Sequence, residues 1–117
     1  MWLPLIGLAI GLIIGSVVSV TIPEEYARYT AVAILAALDS VLGAVRSTLA
    51  GDYDNAIFVS GFFTNTILAG LLTLLGDRLG VELYYAAIFA FGVRLFNNLA
   101  IIRRHLLARW SKNPRRA

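Results

Sequence analysis

Residues 2–23 and 55–76 each run for 22 positions without a charged side chain. About 20 predominantly apolar residues in a helix cross the roughly 30 Å hydrocarbon core of a bilayer. Two such runs in a chain of 117 residues dictate where most of it must lie. Composition agrees: 59% of the residues are hydrophobic and 15% charged, whereas a soluble domain carries about 25% charge and about 45–50% apolar residues. A mean hydropathy of +0.78 excludes a soluble enzyme with a separate core, a disordered chain and a conventional nucleic-acid-binding domain. The pI of 9.7 would otherwise suggest nucleic acid; the basic residues gather at one end, however, and no nucleic-acid partner is expected. With no cysteine, disulfides and thiolate metal sites are excluded, and the redox compartment is left open.

The expected fold class is all-α, with four transmembrane helices in one integral membrane domain, residues 1–117. The expected spans are about 2–22, 29–48, 56–75 and 83–102, followed by a short basic tail, 103–117. No Lys or Arg precedes the first apolar run, and the run exceeds the apolar region of a signal peptide, so a retained first span is expected. Thr21-Ile22-Pro23-Glu24 reads as a capping box that opens a helix from about Pro23 to Ala50. Gly51-Asp52-Tyr53-Asp54-Asn55 reads as a turn, with Gly suited to a helix C-terminus and Asp or Asn to the next cap. Gly76-Asp77-Arg78-Leu79-Gly80 is a second punctuated connection. Asp39 interrupts the second span and Arg94 the fourth, each at about 2.5–3.5 kcal/mol on translocon scales. A re-entrant second segment is the alternative.

Six of the ten Lys and Arg residues follow Ile102: Arg103, Arg104, Arg109, Lys112, Arg115 and Arg116. The positive-inside rule then makes the C-terminus cytoplasmic and, with four spans, the N-terminus too. In that arrangement Asp39 and Arg94 fall at nearly the same depth, about ten and eleven residues into their spans at about 1.5 Å each. Asn65, near the middle of the third span, joins the layer. Asn97 and Asn98 extend it one turn along from Arg94. An intramembrane charge needs a partner; an Asp39–Arg94 contact is expected, helped by Asn65, with Arg46 the weaker partner for Asp39. Two roles fit this layer: polar contacts that fix which helices touch, or a substrate or ion path at the midplane.

Gly7, Gly11 and Gly15 recur every fourth residue in the first span, leaving a flat strip against which another helix can pack closely. Packing within one subunit and self-association both fit. In the tail, Arg103, Arg104, Arg109 and Lys112 suit anionic lipid headgroups, and a plain stop-transfer anchor fits equally. His105 has no second ligand beside it. The chain shows no nucleophile set, paired-carboxylate site or phosphate loop, so no enzyme activity, catalytic residue, metal or cofactor is expected.

Ala36-Ala37-Leu38-Asp39-Ser40-Val41, Ser60-Gly61-Phe62-Phe63-Thr64-Asn65, Gly76-Asp77-Arg78-Leu79-Gly80-Val81 and the run from Ala90 through Gly92-Val93-Arg94-Leu95-Phe96-Asn97-Asn98 to Arg104 occur in this order. Over about residues 1–107 the chain resembles the small basic protein family, small multi-span membrane proteins of Gram-positive bacteria and relatives, often encoded among cell-division genes. The resemblance implies a multi-pass plasma-membrane protein of undefined biochemical role and supplies no catalytic residues. The functional expectation is a non-enzymatic scaffold or accessory subunit linked to cell division or envelope synthesis. The alternative is a small oligomeric channel or transporter using the Asp39/Asn65/Arg94 layer. The expected partners are the lipid bilayer, anionic headgroups, unidentified membrane proteins and, through the first span, a second copy.

Overall fold

The computed structural model describes residues 2–111; Lys112, Arg115 and Arg116 of the basic tail lie outside the described residues. Four α-helices follow one another: α1 (Trp2–Val17), α2 (Ala27–Ala50), α3 (Asn55–Leu79) and α4 (Tyr84–Ser111), with a 3₁₀ turn at Glu24–Tyr26 leading into α2. Three helical segments are long and apolar enough to cross a membrane: Glu24–Ala50, Asn55–Leu79 and Tyr84–Ser111.

The first helix is shorter than the expected 2–22. It ends at Val17, and its 16 residues span about 24 Å, short of the hydrocarbon thickness. The reason is local. Val17, Val18, Val20, Thr21 and Ile22 are β-branched and lose side-chain freedom in a helix, so 18–23 leaves the helical conformation. The expected capping box does not form either. Pro23 precedes the 3₁₀ turn without any side-chain cap, and α2 proper starts only at Ala27.

The other boundaries follow turn chemistry. Gly51 ends α2 in the left-handed region at φ 83°, its N–H reaching the Ser47 and Thr48 carbonyls, a conformation glycine adopts without cost. Asp54 caps α3, its carboxylate accepting from the backbone N–H of Ala56 at 2.7 Å and Ile57 at 3.1 Å. At the far end of α3 the Val81 N–H returns to the Gly76 carbonyl at 3.0 Å. This folds the 80–83 turn back over Gly76, where a Cβ would collide with the Val81 carbonyl oxygen and lie 2.9 Å from the Leu83 nitrogen. Gly76 is therefore part of the turn although it sits inside the helix.

α2 packs against both α3 and α4, which touch each other much less, and α1 leans only lightly on α2. The core is small: Val32, Ala36, Ala69, Ala87 and Phe91. Alanines at this seam let the backbones approach. Large apolar side chains point outward instead, Phe89 at 71% and Phe96 at 76% exposure among them, while the buried set includes Asp39, Thr73 and Asn98. That distribution is inverted relative to a water-soluble bundle.

Candidate polar site within the helix bundle

The 80–83 end of the bundle is clasped. Arg28 of α2 meets Asp77 of α3 at 2.6 Å, the Tyr29 hydroxyl donates to the same carboxylate at 2.9 Å, and the Arg28 guanidinium lies 5.6 Å from the centroid of the Tyr84 ring on α4. Three helices are tied there through one arginine and one aspartate.

At the 51–54 end they part, and a cavity of about 440 Å³ opens between α2, α3 and α4. Its deep end is the layer read from the sequence. Asp39, Asn65 and Arg94 line it, with Asn97 and Asn98 one turn along α4. Asp39 is fully buried, whereas the Arg94 side chain is 55% exposed. Arg94 Nε lies 3.1 Å from Asp39 Oδ1, close enough for an ion pair but not aligned for a hydrogen bond: among the described residues neither Asp39 oxygen has a hydrogen-bond partner. Arg46 does not join Asp39. Its Nη1 donates to Asn98 Oδ1 at 3.1 Å, making a second tie between α2 and α4.

Spacing along the chain pointed to the Asp39 layer but missed three other features. One is the Arg46–Asn98 bond, visible only once the rotation of α4 is known. Another is the clasp around Asp77, whose partners lie 48 and 49 positions away. The third is a pair of hydroxyls, Ser40 Oγ and Tyr53 Oη, which are buried without a hydrogen-bond partner among the described residues and belong to residues lining the same cavity. Burial, and after it the neighbouring Asp54 carboxylate, push the Tyr53 hydroxyl above its ordinary value, so it remains a donor at neutral pH.

The opposite wall is aromatic. The Tyr53 and Phe58 rings lie 6.3 Å apart and Phe58 and Phe62 6.1 Å apart, both tilted, a spacing at which aromatic side chains attract. Gly61 sits in this wall, and a Cβ there would meet no atom within 4 Å.

The glycine strip of α1 is elsewhere. A Cβ at Gly7, Gly11 or Gly15 would meet nothing within 4 Å, so among the described residues no helix packs on it. Arg103, Arg104 and Arg109 are exposed along the last turns of α4. Among the described residues no group of three or more His, Cys, Asp or Glu side chains could hold a metal ion.

Three apolar helices with the Asp39 carboxylate and the Asn98 amide buried between them and aromatic and aliphatic side chains outside define a small all-helical protein of membrane-spanning dimensions. The chain belongs to the small basic protein family. Residues 22–107 match the family described as protein of unknown function (DUF1290), a range that covers α2, α3 and most of α4. The chain is 57% identical to the small basic protein of Bacillus subtilis (strain 168) over 111 residues, 95% of this chain and 92% of that one. It is 40% identical to uncharacterised proteins of Mycobacterium tuberculosis (strain ATCC 25618 / H37Rv) and Mycobacterium bovis (strain ATCC BAA-935 / AF2122/97), covering 85% of this chain and 84% of each relative. No solved structure matches.

Proposed function

We propose that this chain is a non-enzymatic, multi-pass plasma-membrane protein that serves as a scaffold or accessory subunit. The observation that carries this reading is the uncovered glycine strip of α1. Among the described residues nothing lies within 4 Å of a Cβ at Gly7, Gly11 or Gly15, and such a strip is suited to close approach by another helix. A second copy or a different membrane protein would supply that helix. The link to cell division or envelope synthesis rests on the family resemblance alone. Exposed Arg103, Arg104 and Arg109 on α4, with Lys112 beyond them, support a cytoplasmic C-terminus in contact with anionic headgroups. The N-terminus shares that side if α1 completes a fourth span.

The chain has no native cysteine, so a Gly11→Cys variant carries one unambiguous cross-linking site. Expressed in native membranes and treated with a cross-linker that carries one thiol-reactive and one photoactivatable C–H-inserting group, it should give a defined adduct on illumination. Doubled mass identifies a second copy, and any other discrete mass a partner subunit. A chain that stays monomeric at every reagent concentration would end the scaffold reading through α1.

One observation favours the channel or transporter reading: the cavity runs from the 51–54 loop to Asp39, about 18 Å along α2 at 1.5 Å per residue. In proteoliposomes, solute or ion flux abolished by Asp39→Asn or Asn65→Leu would establish it; flux indistinguishable from empty vesicles would remove it.

A further inference from the structure

We propose that the cavity between α2, α3 and α4 is a binding site for a small, uncharged, hydroxyl-rich molecule of the sugar or polyol class. This inference stands apart from the scaffold reading, which concerns α1.

Three observations lead there. The first is the fate of the buried polar atoms. Asp39 Oδ1, Asp39 Oδ2, Ser40 Oγ and Tyr53 Oη lack hydrogen-bond partners among the described residues, and all belong to residues that line this one cavity. Unpaired buried polar groups cost free energy comparable to a lost hydrogen bond, so four around one space call for an occupant that pairs with them. Two are carboxylate oxygens that only accept, and two are hydroxyls that both donate and accept. Hydroxyl groups satisfy both kinds. The atoms lie at the deep end and near the loop, so the occupant needs hydroxyls at more than one level.

The second observation is the balance of charge. Arg46 and Arg94 face the cavity together with Asp39, Asp52 and Asp54. Arg94 is already beside Asp39, and Asp54 is engaged with the first N–H groups of α3, where the helix dipole favours a negative charge. An anion entering this space meets carboxylates, and a cation meets guanidinium groups. A neutral molecule avoids both penalties.

The third is the shape of the two walls. Tyr53, Phe58 and Phe62 form a tilted aromatic ladder on one side, across from the carboxylate and amides of the other. A ring that carries C–H groups on its face and hydroxyls on its edge matches such a slot, since ligand sites combine apolar walls with a few placed polar groups. Room is sufficient: about 440 Å³ exceeds many times the roughly 30 Å³ share of one water. Gly61 keeps it open.

The test uses the full chain in lipid nanodiscs. Free glucose and maltose form one arm, a monoglucosyl diacylglycerol in the disc the other, with inorganic phosphate and choline as charged probes. Saturable, ligand-specific NMR line broadening or calorimetric binding is expected for the neutral saccharide in at least one arm. Binding in the first arm alone marks a soluble source, and in the second alone a lipid headgroup. Gly61→Leu, which projects a bulky side chain into the cavity, should reduce affinity at least about tenfold, whereas Gly70→Leu, equally free of contacts but outside the cavity, should leave it unchanged. Tyr53→Phe keeps the ring and should weaken binding about threefold to tenfold, the worth of one hydrogen bond, which preserves the test if Gly61→Leu fails to fold. The proposal is overturned by no saturable saccharide binding in either arm, by tighter binding of phosphate or choline, or by saccharide binding indifferent to both cavity variants.

Discussion

Losing Arg94 should harm this protein more than losing Asp39, although the two form one ion pair. The asymmetry comes from their surroundings. Asp39 is fully buried, and the Arg94 side chain is 55% exposed. In Asp39→Asn the arginine keeps its solvated portion and can turn outward, while the asparagine fills nearly the same volume. A cost within about 1 kcal/mol is expected, as for many partly exposed pairs. In Arg94→Gln the carboxylate stays in place without a counter-charge, and breaking a buried pair in this way costs about 3–5 kcal/mol. The assay is the folded fraction in mild detergent after a graded thermal challenge, read by size exclusion. Arg94→Gln should show the larger loss. Asp39→Asn/Arg94→Gln should return to near the Asp39→Asn level, exposing a coupling that additive sites would not have. Equal losses for the two single variants, or purely additive damage in the double variant, would refute the reasoning.

The turns and the glycine strip give three further tests. Gly76→Ala should reduce thermal stability by about 1–3 kcal/mol, the usual cost of forcing extra atoms into a packed site, because the new Cβ runs into the 80–83 backbone; an unchanged melting profile would contradict that close approach. Asp54→Ala should cost about 1 kcal/mol and speed hydrogen exchange at the Ala56 and Ile57 amides, which would otherwise remain as protected as in the parent. Gly11→Leu should leave folded yield unchanged, since a Cβ at this position meets no atom within 4 Å among the described residues, and should shrink any assembly that uses this strip, as read by native mass spectrometry in detergent.

How far the sequence could be read depended on the range of the physics at each residue. Helix ends set by backbone conformation were legible: Gly51 and Gly80 take the left-handed region and Asp54 caps α3 because those residue types favour those positions wherever they occur. The end of α1 falls short of the expected bound because length and apolarity say only how far a span can reach, whereas β-branched Val17, Val18, Val20, Thr21 and Ile22 govern where the helix stops. Depth arithmetic was enough to place Asp39 and Arg94 in one layer. It carries no information on helix rotation, so the pairing of Arg46 with Asn98 rather than Asp39 stayed out of reach. The clasp on Asp77 was hidden for another reason. Arg28 and Asp77 lie next to expected span ends, where charged residues look like ordinary solvated loop positions.

The partners that bridge α2 and α4 also set a timetable for biosynthesis. Asp39 leaves the ribosome 55 positions ahead of Arg94, and Arg46 precedes Asn98 by 52. At about 5–20 residues per second, α2 waits roughly 3–11 s with a charge at its centre and no counter-ion yet made. On the membrane reading proposed above, α2 is held meanwhile within the insertion machinery, beside its water-accessible channel, or sheltered at Asp39 by another protein, and the synthesis of α4 sets when it passes into lipid. A chain truncated before Arg94 should remain associated with the insertion apparatus, or be degraded, however apolar its completed helices are.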